Sequence, residues 1–270
     1  MKFTCPKCSL PLALGERGAL ICAKGHSYDR SREGYYNLLL SNSSAHGDNA
    51  EMVAARRRFL LTGSYLPLAE HVAQRVCELL FDSVELIDIG CGEGYYTDVV
   101  EKMLSAAKPA SAVCGFDISK DAVRQAAKKN KSLSLAVASA YRMPFADGAF
   151  NAAINIFSPL AIEETARVIR RGGRFIMAIP GPDHLFGLKS LLYETPYKNE
   201  VADTALPGFS FLGSERIAYT ITLDKREDVA ALFMMTPYAY RTKREACEKI
   251  LSLDTLTTEI EFLLLEYERL

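Results

Sequence analysis

One turn governs what this chain can fold into. The apolar run VELIDI (84–89) passes directly into Gly90-Cys-Gly92-Glu93-Gly94 and then into an amphipathic stretch, YYTDVVEKML. Glycine at three alternate positions lets the backbone turn sharply and lets a ligand approach it closely, so the strand predicts a buried parallel sheet that feeds a helix through a ligand-binding loop. The pattern then repeats. ASAVCGFDIS reads as a second strand and KDAVRQAAKK as a second helix, and LSLAVA, FNAAINIF and RFIMAIP read as three further strands, with AIEETARVIRR as a helix before the last. ERIAYTITL and TLTTEIEFLLLEYE close the chain as two more strands around DVAALFMM and REACEKILS. Strand and helix alternating in this way predict a doubly wound α/β sheet with its ligands at the carboxyl ends of the strands.

The glycine spacing narrows the ligand. A dinucleotide fingerprint needs G-x-G-x-x-G, whereas here the glycines stop at G-x-G-x-G and Tyr95 stands three residues after Gly92. Asp88, at the strand end, can accept from an ammonium group or an ordered water, so a ligand with an amino-acid end and no pyrophosphate fits better than NAD. Asp117 ends the second strand in CGFDIS, where a carboxylate can take both hydroxyls of a ribose. The segment 138–150, which follows the third strand and begins Ala138-Ser139-Ala140-Tyr141, resembles the part of S-adenosylmethionine enzymes that flanks the adenine. Together, in this order, the three segments resemble the class I S-adenosylmethionine-dependent methyltransferase fold: Rossmann-like, mostly parallel and doubly wound.

The amino terminus carries a separate constraint. Cys5, Cys8, Cys22 and His26 stand as C-x2-C-x13-C-x3-H, the ligand spacing of a tetrahedral zinc site. Between the pairs, LPLALGERGALI reads as two short strands around a Gly-Glu-Arg-Gly turn. So short a piece cannot fold on apolar burial alone, and a metal would supply the missing free energy. A thioredoxin-like redox pair is the competing reading of CPKC, but no βαβ pattern surrounds it; fortuitous spacing is the other. Four ligands with no open position make the site structural rather than catalytic.

Composition bears on partner and compartment. Seven cysteines, an odd number, with Cys77, Cys91, Cys114 and Cys247 scattered singly, argue for a reducing compartment, and no stretch approaches the roughly 20 apolar residues of a membrane span. The expectation is a cytoplasmic protein with no membrane partner. The overall charge is −1, yet residues 1–58 hold nine Lys/Arg against five Asp/Glu, so a basic front sits on an acidic body. A basic segment can contact nucleic acid. The run Arg56-Arg57-Arg58 could grip phosphates, or it could be a solvated helix face.

Over nearly its whole length the chain resembles one family. The knuckle, EGYYNLL, GDNAEMVAARRRFL, SYLPL, LIDIGCGEGYYT, FSP after the fourth strand, PGPDHLFGLK after the fifth and MMTPYAYR carry the resemblance to the RlmA-type methyltransferases. These modify N1 of a guanine in hairpin 35 of 23S ribosomal RNA, recognise RNA through a zinc domain and act as homodimers. The resemblance implies zinc at Cys5, Cys8, Cys22 and His26. It also implies S-adenosylmethionine contacts at Tyr65, Gly92, Glu93 and His184, beside Asp88, Gly90, Gly94 and Asp117 from the loop pattern. Ser139 stands where many class I enzymes place an acid that reads the adenine amino group. The expected organisation is a zinc-binding domain at 1–40, a linker and helical lead-in at 41–83, and a methyltransferase domain at 84–270 with an insertion around 186–215. Phe157-Ser158-Pro159 replaces the Asn/Asp-Pro-Pro-Tyr loop of exocyclic-amine methyltransferases, which speaks against that chemistry. Asp183 and His184 are candidates for the base that removes the guanine proton, with solvent as the alternative. Tyr35, Tyr36 and the three arginines are candidates for base stacking and phosphate contacts. A small-molecule methyltransferase shares the loop but does not explain the knuckle; a non-catalytic RNA-binding factor would not need Asp88, Gly92 and Asp117 intact.

Overall fold

The computed structural model describes residues 2–40, 49–201, 203–240 and 242–270. In the amino-terminal part, β1 (Leu12–Leu14) and β2 (Leu20–Cys22) form the expected hairpin, joined by β3 (Ser27–Tyr28) into a three-stranded antiparallel sheet. The turn between β1 and β2 uses Arg17 at φ 55° and Gly18 at φ 81°. The short strand β4 (Tyr36–Asn37) leaves this ribbon and joins the large sheet.

Two helices follow, α1 (Ala50–Leu61) and α2 (Leu66–Cys77). Asn49 caps α1 by accepting from the Met52 amide at 2.9 Å. In α2, Leu68, Ala69, Val72, Ala73 and Val76 are all buried, a single apolar stripe at helical spacing that packs on α3 (Tyr95–Ala107). β5 (Glu85–Ile89) precedes α3, and β6 (Ala112–Asp117), α4 (Lys120–Lys129), β7 (Ser134–Val137), β8 (Phe150–Ile156), α5 (Ile162–Val168) and β9 (Ile169–Pro180) complete the alternation. The chain ends with α6 (Phe186–Leu192), β10 (Phe209–Leu223), α7 (Arg226–Met234), α8 (Arg244–Leu251) and β11 (Leu256–Arg269).

The large sheet runs β10-β11-β9-β8-β5-β6-β7-β4. β5 pairs in parallel with both β6 and β8, and the order reverses there, so the crevice at the end of β5 is the topological switch point. β11 is antiparallel to both its neighbours. All seven residues of β8 are buried, as expected for a central strand covered on both faces. Each βα connection thus delivers its loop to one edge, where the site lies.

The sequence-based division differs from the structure in two places. β10 begins at Phe209, so residues 209–215, expected within an insertion, are the first half of a long strand; a register shift between Phe211 and Gly213 broke the alternation that would have revealed it. The ribbon also shares a core with the sheet. Phe3, Cys5, Leu12, Leu20 and Cys22 pack in one cluster with Phe116, Phe145 and Phe150. The Thr4 amide donates to the Pro144 carbonyl at 2.8 Å, Arg142 donates to the Pro6 carbonyl at 3.0 Å, and the Tyr36 hydroxyl donates to the Gly18 carbonyl at 2.9 Å. Residues 41–48 of the expected linker lie outside the described residues.

Candidate active site and metal centre

The four amino-terminal ligands converge. Each can offer one atom, and these atoms lie within 4.8 Å of one another. Cys8 Sγ is 3.7 Å from Cys22 Sγ, and His26 Nδ1 is 3.4 Å from both Cys5 Sγ and Cys22 Sγ. A tetrahedron with Zn–S of about 2.3 Å and Zn–N of about 2.0 Å has S···S edges of about 3.8 Å and S···N edges of about 3.5 Å, so the donor set matches zinc in size as well as in chemistry. Local turns create it: the Cys8 and Ser9 amides donate to the Cys5 carbonyl, and the Gly25 amide donates to the Cys22 carbonyl. Ser9 (φ 59°) and Gly25 (φ 78°) take the left-handed conformation that lets each turn close. Burial raises the Cys5 thiol, but hydrogen bonds from the Tyr28 hydroxyl, at 3.2 Å, and from the Lys7 and Cys8 amides overcome it and bring Cys5 down to about 6. Tyr28, which spacing did not single out, thus supports the thiolate a metal requires.

At the carboxyl edge of the sheet, Gly90, Gly92 and Gly94 have φ of 79°, 54° and 74°. A Cβ on Gly90 would lie 2.4 Å from Ser158 Cβ and Oγ, whereas one on Gly92 would meet nothing within 4 Å. The first glycine therefore admits the loop after β8, and the second leaves an open cradle of backbone. Asp117 shapes that cradle: Oδ2 accepts from the Gly92 amide at 3.0 Å and Oδ1 from the Ser119 amide at 2.7 Å. Asp88 is buried behind the loop, and the Thr97 hydroxyl donates to its Oδ2 at 2.6 Å. Burial pushes Asp88 up to about 7, with the Asp117 charge adding to the rise and the Thr97 bond opposing it. Glu93 is likewise raised to about 7 by burial, against the pull of Arg57, Lys129 and Arg56, and its buried Oε2 has no hydrogen-bond partner. An orphaned buried oxygen beside an open glycine cradle fits a ligand that brings hydroxyl or ammonium donors, as S-adenosylmethionine does.

Tyr65 and His184 meet across this site. Tyr65 Oη is 3.1 Å from His184 Nε2, and both side chains are buried. His184 Nδ1 accepts from the Glu261 amide at 3.3 Å, so the neutral ring carries its proton on Nε2 and donates it to Tyr65. Burial, helped by the Lys189 charge, lowers His184 to about 3. A ring held neutral with both nitrogens engaged has no lone pair for a guanine proton, which removes His184 from the candidate bases. Phe59, Phe157 and Phe262 pack around Tyr65 at ring distances of 4.8, 6.3 and 4.9 Å. Ser139 lies in a turn beyond β7, where its Oγ accepts from the Tyr141 amide at 3.3 Å.

The expected base-stacking pair is overturned. Tyr35 and Tyr36 are 4% and 2% exposed, Tyr36 in the core that the ribbon shares with the sheet and Tyr35 in the core formed with α2, α3 and α4, and cannot present a ring to RNA. Arg58 is paired with Asp228 at 2.9 Å and Arg57 donates to Gln125 at 3.2 Å, so the run is tied into the protein rather than left as a solvated face.

Residues 3–43 match a zinc-ribbon family model described as "RlmA, N-terminal", and residues 87–177 match a methyltransferase domain model. A 23S rRNA (guanine(748)-N(1))-methyltransferase from Streptomyces fradiae is 35% identical over 82% of this chain and 79% of its own length. The chain belongs to the RlmA family of 23S rRNA (guanine-N1)-methyltransferases. YxjB from Bacillus subtilis (strain 168), provisionally named for guanine-N(1) methylation of the same RNA, is 30% identical over 97% of this chain and 96% of its own. The fold is that of a class I methyltransferase carrying a zinc ribbon, and the cofactors are S-adenosylmethionine and zinc.

The structure also supplies residues that pattern reading missed. Thr97, in the first turn of α3, holds Asp88 across the glycine loop, and Glu261 holds the loop after β9: its amide bonds His184 and its Oε2 accepts from the Asp183 amide at 2.5 Å. One signal was available for Glu261, a carboxylate inside the apolar run EIEFLLL, where it is 3% exposed. No sequence signal marked Thr97.

Proposed function

We propose that this protein transfers a methyl group from S-adenosylmethionine to N1 of a guanine in hairpin 35 of 23S ribosomal RNA, working as a cytoplasmic homodimer. The observation that carries the reading is the fusion of the two sites: the zinc ribbon is bonded through Thr4 and Pro6 to residues 142–145, in the very segment expected to flank the adenine. A ribbon so placed stands at the mouth of the donor site rather than on a free tether. The Streptomyces fradiae relative is named for a guanine N1 in the same RNA.

The donor supplies an electrophilic methyl carried on a sulfonium. The residues of this chain bind and orient it. Asp117, at the end of β6 and beside the Gly92 amide, is placed to take the ribose hydroxyls, Glu93 Oε2 to accept from a donor group, and Gly92 to let the backbone come close. Tyr65, fixed by His184 and by three rings, walls the site with a rigid surface. Ser139 stands near the adenine end. The reaction is an in-line displacement, so most of the rate comes from alignment. Guanine N1 must also lose its proton, and with His184 withdrawn the candidates are Asp183, ion-paired with Lys198 at 2.8 Å, and solvent.

Methylation at N1 blocks the Watson–Crick edge, so it arrests reverse transcription at the modified base. Large-subunit RNA from cells lacking the gene, incubated with the purified protein and S-adenosylmethionine, should acquire a single stop in hairpin 35. Incorporation of label only into small-molecule acceptors would replace the RNA reading with the small-molecule one, and binding of RNA without transfer would make the protein a non-catalytic factor.

A further inference from the structure

Phe157 combines three properties that packing alone does not account for. It is a non-glycine residue at φ 58°, a conformation that costs a side-chain-bearing residue strain and is retained where surrounding structure enforces it. It is 41% exposed, although it follows a strand whose seven residues are all buried. It stands at the carboxyl end of β8, at the edge where the donor loop lies.

The backbone around it is fastened to that loop. Ser158 Oγ donates to the Ile89 carbonyl at 2.7 Å and accepts from Asn155 Nδ2 at 2.7 Å, and only the missing side chain of Gly90 makes room for it. The Phe157 amide donates to the Ala178 carbonyl at 3.3 Å. Behind the ring stand Phe262 at 5.1 Å, Tyr96 at 6.2 Å and Tyr65 at 6.3 Å, so it is propped rather than free. A burial-driven ring would turn inward. This one is held partly outward, next to the loop that receives the methyl donor, by a strained backbone with three anchored neighbours.

We propose that Phe157 is a base-binding residue, on whose exposed ring the target guanine stacks once it has been extruded from the RNA hairpin. The proposal rests on the RNA methyltransferase reading above. Extruded bases are commonly held on aromatic side chains, and stacking recovers part of the pairing and stacking lost on leaving the helix. The two tyrosines expected for stacking are buried, whereas Phe157 lies at the site where transfer takes place.

The test uses the full-length zinc-loaded protein and a synthetic hairpin 35 RNA, either intact or with an abasic site at the methylated position. Stacking on one aromatic ring changes affinity by about tenfold or more. The wild type should therefore bind the abasic RNA about tenfold more weakly than the intact one. Phe157→Leu should bind both alike and, with S-adenosylmethionine at saturation so that any change in donor affinity does not enter, show a single-turnover methylation rate at least tenfold lower; Phe157→Tyr should restore both the penalty and the rate. An equal penalty in wild type and Phe157→Leu, or methylation by Phe157→Leu at the wild-type rate, overturns stacking while leaving the function intact. If Phe157→Leu fails to fold, wild-type binding that ignores the abasic site still overturns the proposal. A wild-type protein that methylates no guanine of this RNA overturns the function and the stacking together.

Discussion

At the scale of single residues, the site is built from polar groups that burial has made costly. Asp88 titrates at about 7 in the folded protein and near 4 in an unfolded chain. Between those values the folded state holds a proton that the unfolded state does not, so stability falls as pH rises through this window and levels off above 7. Asp88→Asn, which keeps an acceptor for Thr97, should therefore gain on the order of 4 kcal/mol over the ligand-free wild type at pH 8, with the gap closing towards pH 4. Urea denaturation at both pH values checks this, and calorimetric titration should show that the same variant binds S-adenosylmethionine more weakly. Tyr65 provides a second case. Its hydroxyl receives the Nε2 proton of a buried, neutral His184, and Tyr65→Phe leaves that donor without an acceptor at a cost of about 1–3 kcal/mol. Denaturant midpoints should reveal the loss.

At the scale of elements, the glycines of the turn after β5 differ in what surrounds them. Gly90 and Gly92 both have positive φ, yet a side chain at Gly90 strikes Ser158 and one at Gly92 enters open space. Gly90→Ala should cost stability twice, through strain and through displacement of the loop after β8, by roughly 2–4 kcal/mol. Gly92→Ala should cost about 1 kcal/mol while weakening donor binding more than tenfold, because its methyl occupies the ligand's space. Thermal melts and donor titrations of the two variants should show opposite rankings. The glycine pattern was legible in sequence because the strand–turn–helix context gives glycine a defined task; which glycine served packing was not, since the partner, Ser158, lies 68 residues away and only sheet pairing brings it there.

At the scale of the whole molecule, the ribbon and the sheet form one core. Phe3 packs on Phe145 at 5.3 Å and on Tyr36 at 6.1 Å, and β4 pairs with β7. Removal of zinc should accordingly disturb more than the hairpin. Chelation is expected to abolish amide protection in residues 2–40, to lower it in residues 142–145, and to reduce the melting temperature of the entire protein in a single transition. Hydrogen exchange with and without chelator distinguishes this from a ribbon that melts alone, for which residues 142–145 would remain protected.

Local rules were enough for the alternating elements, for the glycine turn between β5 and α3, for the place of Asp117 at the end of β6, and for the four amino-terminal side chains that converge. Each rests on short-range periodicity or on spacing that a single turn can satisfy, and chemistry demands those residue types there. Tertiary structure alone decided the rest. Tyr65 and His184 are 119 residues apart and meet only because α2 and the loop after β9 reach the same sheet edge. Tyr35 and Tyr36, aromatic and flanked by charge, looked like a surface for RNA, and burial against the sheet closed them off. Phe157-Ser158-Pro159 stood out in sequence only as a replacement for another loop, and the positive φ that holds the Phe157 ring partly outward is a property of the fold. Spacing along the chain identifies a ligand set, but which face a ring presents depends on what the rest of the fold has already covered.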